Sequence, residues 1–211
     1  MPEPAQLLVF VIASAILGVT PGPDIIYVIT RGAAQGPRAG LAAAAGVSTG
    51  IIGHTMLCVA GLSALLAASA PAFTAIKLLG AVYLVYLGVR MWRARERPEL
   101  PGDGKRQSMA AIYRQSIVMN LLNPKVALFF LAFLPQFVSA DAGPVAIQLG
   151  VLGAVFMIVS FAVMSAAGFA GGEIRKQLAT SGRAARWLQC TAAGVLVALG
   201  IRLAFEPPGL D

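Results

Sequence analysis

The sequence has few charged residues for its length. Asp, Glu, Lys and Arg make up 12% of the 211 residues, whereas apolar residues make up 58% and the mean hydropathy is +0.79. A soluble domain carries roughly 25% charged residues. This shortage argues against a soluble enzyme, and the apolar content argues against a disordered chain. We therefore expect an integral membrane protein.

Cysteine and histidine are almost absent. Cys58 and Cys190 each lie in an apolar run, which gives neither a disulfide framework nor the spacing of metal ligands. We interpret both as small buried hydrophobes. No serine or cysteine has an identifiable base partner. The sequence thus predicts no catalytic residue, no metal site and no cofactor.

Long apolar runs predict an all-α integral membrane fold. A helix needs about 20 predominantly apolar residues to cross the hydrocarbon core of a bilayer. We place six transmembrane helices in the chain. They cover residues 6–30, 40–67, 72–92, 112–138, 145–170 and 187–205.

The basic residues are concentrated in alternate connections. Segments 31–39, 93–111 and 171–186 carry 11 Lys and Arg in total, whereas segments 68–71 and 139–144 carry none. Basic connections face the cytoplasm. Both termini are then periplasmic, as an even number of spans requires. We interpret the net charge of +7 as this orientation signal rather than as a nucleic-acid interface.

Segment 93–111 is the one polar linker, and it separates two groups of three helices. The chain therefore divides into a first three-helix repeat at 1–92, a basic cytoplasmic linker at 93–111 and a second three-helix repeat at 112–211. Because each half has an odd number of spans, related halves would insert in opposite orientations. This is the layout of an inverted repeat, which is common in transporters.

The first helix is interrupted in its inner half. Thr20, Pro21, Gly22, Pro23 and Asp24 follow one another there. Each proline removes a backbone donor and clashes with the preceding turn, so a regular helix cannot continue. In a bilayer such a break is tolerated where the backbone is packed in protein or lines a water-filled cavity.

The fourth helix has a matching interruption, at Asn120, Asn123, Pro124 and Lys125. Interrupted helices at corresponding positions of two halves point to a transporter binding site. Free N–H groups at a half-helix N-terminus favour a carboxylate, and freed carbonyls favour an ammonium group or a cation. A zwitterion such as an amino acid suits both. The alternative is a pair of proline kinks retained for packing.

Three ionisable side chains lie deep in the spans. Asp24 either caps the second half-helix or carries a coupled proton and binds a substrate amine, because a charge at that depth usually faces a cavity or a partner. Lys125 either pairs with Asp24 or binds a substrate carboxylate. His54 is interpreted as a hydrogen-bonded packing residue, and it stays a candidate for proton coupling beside Asp24.

Small residues recur at a spacing of four. Gly18/Gly22, Gly46/Gly50 and Gly168/Gly172 have this spacing, which lets helices approach closely. The approach can be within one chain or between subunits, so a homodimer is possible.

The chain resembles the LysE/RhtB family of bacterial amino-acid exporters over nearly its whole length. The matching motifs, in order, are Gly18-Val-Thr-Pro-Gly-Pro-Asp24, Gly40-Leu-Ala-Ala-Ala-Ala-Gly46 with Gly50, Lys77-Leu-Leu-Gly-Ala-Val-Tyr-Leu-Val-Tyr-Leu-Gly88, Asn120-Leu-Leu-Asn-Pro-Lys125 and Phe133-Leu-Pro-Gln-Phe137. The resemblance implies export of amino acids or their small derivatives across the bacterial inner membrane, driven by proton antiport. It also implies that the two broken segments line the pathway.

Our hypothesis is therefore a secondary transporter that works by alternating access, with its site between the first and fourth helices. Half-helix N–H groups and Lys125 would hold the substrate carboxylate, and freed carbonyls and Asp24 the amine. Asn120 and Asn123 would tune the hydrogen bonds. Two alternatives stay open, namely a passive pore with the same broken helices and a membrane-embedded redox protein that uses Cys58 and Cys190.

Overall fold

The computed structural model describes residues 4–68, 70–93, 106–138, 143–174 and 182–205. Within these residues the fold is all-α, as predicted, and no strand occurs. The helices are α1 (Pro4–Val19), α2 (Pro23–Gln35), α3 (Pro37–Ala68), α4 (Ala70–Arg93), α5 (Met109–Leu121), α6 (Pro124–Ala132), a 3₁₀ helix (Leu134–Phe137), α7 (Val145–Phe169) and α8 (Gly182–Phe205). Most of the predicted linker, residues 94–105, lies outside the described residues.

Both predicted helix breaks are present. The chain bends by 60° between α1 and α2 and by 51° between α5 and α6. Pro23 and Pro124 each lie in the first turn of the second helix of a pair. A proline is tolerated there because the first N–H groups of a helix have no partner within the helix. The prolines thus end one helix and begin the next.

Two described helices are each long and apolar enough to cross a membrane, over Pro37–Gly61 and Val145–Phe169. The bent pairs Gln6–Val19 with Pro23–Gln35 and Met109–Leu121 with Pro124–Phe137 meet the same criterion only when each pair counts as one span. Length and composition therefore give two to four candidate spans. Helices α4 and α8 cover the predicted third and sixth spans without qualifying, so the number six stays a prediction.

The predicted connection 31–39 is wrong in its extent. Helix α2 runs to Gln35 and α3 begins at Pro37, so Gly36 alone joins them, with a φ of +88° that favours glycine. The polar residues there indicate an exposed connection, but they bind other parts of the fold instead. Gln35 exchanges two hydrogen bonds of 2.9 Å with the backbone of Gln107, and the Arg31 guanidinium lies 5.0 Å from the centre of the Tyr27 ring.

Two apolar clusters form the core. The first is rich in phenylalanine, and its ring centres lie as close as 4.8 Å for Phe129 and Phe133 and 5.1 Å for Phe130 and Phe156. The second joins α2, α3, α5 and α7 through smaller side chains such as Val28. Leu17 and Ile51 belong to the first cluster and Met164 to the second. The candidate site lies where the two clusters meet.

Glycines bring the helices together. A Cβ on Gly40 of α3 would lie 2.5 Å from the carbonyl oxygen of Gly168 in α7. A Cβ on Gly46 would lie 2.6 Å from the Cβ of Ser116 in α5. Gly172 has nothing within 4 Å. The predicted close approach is therefore found at Gly46 and Gly168 but not at Gly172.

Gly168→Ala should destabilise the fold. Its Cβ would meet the backbone of Gly40 at 2.8 Å, and overpacking of this kind costs ~1–3 kcal/mol. We expect a lower midpoint of thermal unfolding in detergent. The matched control on the same helix is Gly150→Ala, because a Cβ there meets nothing within 4 Å. Equal midpoints for the two variants would contradict the packing argument.

Candidate functional site

Asp24 lies in the first turn of α2, and its side chain extends to the second break, between α5 and α6. Its carboxylate is 2% exposed, and Oδ2 accepts hydrogen bonds from Nδ2 of Asn120 at 2.8 Å and from Nδ2 of Asn123 at 2.9 Å. No side chain caps α2, whose N-cap residue is Gly22. The alternative that Asp24 caps its own helix is therefore wrong, and the carboxylate joins two helix pairs instead.

The Lys125 side chain extends the other way, from the second break to the first, and we call this exchange of side chains the reciprocal crossing. It lies in the first turn of α6, and its Nζ donates to the carbonyl oxygens of Leu17 at 3.2 Å and Thr20 at 3.0 Å. These carbonyls belong to the C-terminal end of α1, where helix carbonyls lack internal partners and the dipole is negative. Each break thus supplies a charged side chain that binds the other.

Asp24 and Lys125 do not form a direct ion pair, although both belong to the described residues and line the same cavity. The hydroxyl of Thr20 is also occupied, because it donates to the carbonyl of Ile16 at 2.6 Å. The two opposite charges therefore compensate each other across a buried space rather than by contact.

The two half-helices differ at their N-termini. Asn123 caps α6, since its Oδ1 accepts from the N–H of Lys125 at 3.0 Å and its carbonyl accepts from Val126 and Ala127 at 3.1 Å. Helix α2 has no such cap, and its first internal bond starts at Ile26. The N–H groups of Asp24 and Ile25 therefore remain available at α2, whereas those of α6 are occupied.

His54 contacts the second break from α3. Its Nε2 lies 2.9 Å from the carbonyl oxygen of Asn120. Because a carbonyl only accepts, Nε2 carries the hydrogen. The ring is 4% exposed and its centre lies 5.8 Å from that of Phe130. This geometry agrees with a hydrogen-bonded packing histidine, connected to Asp24 only through Asn120.

Two glycines leave room for these crossings. A Cβ on Gly22 would lie 2.9 Å from Nζ of Lys125, and a Cβ on Gly50 would lie 2.6 Å from Oδ1 of Asn120. The sequence pattern predicts Gly22 as a site residue but Gly50 only as a packing residue. Its spacing from Gly46 was the signal that a neighbour approaches there.

A small cavity lies between the two breaks. Its volume is about 10 Å³, which is close to the smallest space that holds one water molecule. Asp24 and Asn120 line this cavity, and the Oδ1 atom of each is buried without a hydrogen-bond partner. The lining residues are Leu17, Gly18, Asp24, Ile51, Asn120, Lys125, Val126, Phe156, Ser160 and Met164.

Helix α7 supplies a wall that sequence reasoning missed. Phe156, Ser160 and Met164 line the cavity, and a spacing of four places them on one helix face. The predicted fifth span is apolar all round, so no periodicity marks which face is inward. Ser160 is the sole polar member of this wall.

The remaining predicted residues are two prolines and two cysteines. Pro21 lies in the first break and Pro124 opens α6. Cys58 of α3 and Cys190 of α8 are free thiols, and the Cys58 thiol donates to the carbonyl of Phe130 at 3.6 Å. Within the described residues, no group of three or more His, Cys, Asp and Glu side chains is arranged to hold a metal ion.

Comparison with known proteins gives one family. The family model described as "LysE type translocator" matches residues 15–206. The chain is 33% identical to a homoserine/homoserine lactone efflux protein of Salmonella typhimurium, over 74% of this chain and 75% of that protein. It is 28% identical to a leucine efflux protein of Klebsiella pneumoniae, over 93% of both. No solved structure matches the chain.

Replacing Asp24 by leucine should destabilise the protein. Asp24→Leu removes the acceptor of two buried amides, and each orphaned donor costs ~1–3 kcal/mol. We expect a clearly lower midpoint of thermal unfolding in detergent. Asp24→Asn is the matched control, because its amide oxygen can accept from both asparagines. If the leucine variant were as stable as wild type, the two hydrogen bonds would not hold the breaks together.

Proposed function

Because the chain belongs to the LysE-type translocator family, we propose that it is a secondary transporter that exports amino acids or small amino-acid derivatives across the bacterial inner membrane. Relatives named as efflux proteins for homoserine and its lactone and for leucine support this class of activity. An exporter rather than an enzyme is also consistent with the residues of the site.

The reciprocal crossing of Asp24 and Lys125 carries the proposal. It brings a carboxylate, an ammonium group, free helix N–H groups and freed carbonyls around one cavity. These are complementary to the two charged groups of an amino acid. The buried oxygens of Asp24 and Asn120 that lack partners support a polar ligand at this place.

We propose a division of roles within this site. The substrate ammonium binds the free Oδ1 atoms of Asp24 and Asn120, together with the carbonyls of Leu17 and Thr20. In the present conformation the Lys125 ammonium binds those carbonyls, so it takes the place proposed for the substrate ammonium. On binding, Lys125 moves to the substrate carboxylate, which the uncapped N–H groups of α2 also hold.

The small size of the cavity favours alternating access. A space of about 10 Å³ is too small for an amino acid, so the site must widen before a substrate binds. Substrate binding requires the two bent pairs to separate. Helices α3 and α4 follow the first bent pair as α7 and α8 follow the second, and each packs on its counterpart. This pairing supports the proposal that residues 1–92 and 112–211 are inverted repeats that move against each other.

Asp24 is the proposed proton carrier. Its carboxylate lies at the cavity where the substrate ammonium would bind, so a proton and an ammonium group would compete for the same oxygens. Proton entry and amino-acid exit would then alternate as antiport. His54 is the second candidate, because its hydrogen bond reaches Asp24 through Asn120.

The fold supports the proposed orientation. The Gln35–Gln107 hydrogen bonds bring the α2–α3 connection and the end of the linker to one end of the molecule. A Cβ on Gly171 would lie 2.7 Å from the carbonyl oxygen of Ile29, so the third basic segment begins at that end too. We propose that this end is cytoplasmic and that both termini are periplasmic.

Cysteine labelling tests the orientation. In a Cys58→Ala/Cys190→Ala background, Ala140→Cys should react with a membrane-impermeant maleimide in intact spheroplasts. Lys105→Cys should react only after the membrane is permeabilised, because we propose that the basic linker lies in the cytoplasm. The reverse pattern would overturn the orientation.

Counterflow in proteoliposomes tests the function. Purified protein should exchange one or a few labelled amino acids with saturation, and an imposed pH gradient should accelerate the exchange. Asp24→Asn should fold but lose the response to the gradient, because the amide carries no exchangeable charge. Full gradient-driven activity of Asp24→Asn would remove Asp24 from the coupling.

The same experiment separates the alternatives. Flux without saturation and without a pH effect would indicate a passive pore. Loss of activity in Cys58→Ala would favour the redox alternative. Absence of exchange for every amino acid tested would overturn the proposed substrate class. A homodimer stays a prediction, to be checked by the mass of the purified protein in detergent.

A further inference from the structure

The cavity between the breaks has one polar group that neither helix break supplies. Ser160 of α7 is 3% exposed and lines the same cavity as the charged side chains. Its neighbours along that wall are Phe156 and Met164, one helical turn to either side. A hydroxyl is thus set into an otherwise apolar wall.

The Ser160 hydroxyl differs from those of other buried serines. Ser14, Ser48 and Ser116 each donate to the carbonyl four residues earlier, at 2.7, 3.0 and 2.9 Å. Such bonds are the usual way for a helical serine to satisfy its hydroxyl. Among the described residues, Ser160 has no corresponding bond to Phe156. Its hydroxyl therefore remains available on the cavity side of α7.

The charged groups of the cavity are already assigned by the proposed function. Asp24 and Lys125 lie at the breaks and are complementary to the ammonium and carboxylate of any amino acid, so they do not distinguish one side chain from another. The side chain of a bound substrate then faces the remaining wall. That wall consists of Leu17, Gly18, Ile51, Val126 and the α7 face with Ser160.

We propose that Ser160 is a specificity-determining residue that hydrogen-bonds an oxygen on the substrate side chain. The inference rests on the proposed function and names its substrate class. That class is short amino acids with an uncharged, hydroxylated side chain, in preference to aliphatic amino acids of the same size. A buried hydroxyl left unpaired by an aliphatic substrate disfavours that substrate, whereas an apolar wall would accept both.

Isosteric substrate pairs test this inference. The pairs are homoserine with norvaline and threonine with valine, since each pair exchanges a hydroxyl for a methyl group. Wild type should prefer the hydroxylated member in counterflow, measured as kcat/KM. Ser160→Ala should reduce that preference about 2- to 12-fold, the range that one neutral hydrogen bond supplies. The reduction should come from the hydroxylated substrates.

Two variants control the experiment. Ser165→Ala makes the same chemical change on α7, at a hydroxyl that is buried without a partner and does not line the cavity. It should leave the preference unchanged. Ser160→Thr keeps a hydroxyl and should retain the preference. Elution of each variant as a single species in detergent verifies folding.

The outcomes separate this inference from the proposed function. Exchange with equal preference in wild type and Ser160→Ala would overturn the role of Ser160 and leave the transporter standing. A wild-type preference for norvaline and valine would also overturn it. Absence of exchange for all four amino acids, with exchange of another amino acid in the counterflow panel, would overturn the inference and leave the transporter standing. Absence of exchange for the whole panel would overturn both.

Discussion

Asp24 and Lys125 each lie directly after a proline that opens a half-helix, and each crosses to the break in the other helix pair. A charged group buried in an apolar protein is costly unless it is hydrogen-bonded and compensated. The freed carbonyls of α1 and the amides of Asn120 and Asn123 provide those bonds. Each break thus leaves polar groups that the other break satisfies.

This exchange constrains the helices around it. Lys125 reaches the carbonyls of α1 because Gly22 has no side chain, and Asn120 holds Asp24 because Gly50 of α3 leaves space for its amide. Helix α3 also places His54 on the Asn120 carbonyl. One helix thus fixes both faces of the second break. The glycines of α3 matter here for contact with a particular side chain as well as for general packing.

Several features followed from local rules. Proline chemistry predicted both breaks, and the apolar runs predicted the helices that surround them. The connection at 31–39 was misplaced because Arg31 and Gln35 are polar. The sequence does not reveal that the backbone of Gln107, far along the chain, binds Gln35. Asp24 and Lys125 were considered as a pair, whereas backbone carbonyls and two amides hold them separately. Such partners cannot be recognised from spacing, because every residue has a carbonyl.

By itself the sequence determined that two helices break at their prolines and which ionisable residues lie within apolar segments, because these depend on neighbours along the chain. The tertiary structure decided which groups the charges bind, that α6 is capped while α2 is not, and that α7 turns Ser160 toward the cavity. Those choices depend on the rotation of each helix about its axis. A helix that is apolar on every side carries no periodic signal for that rotation, so only packing against its neighbours fixes it.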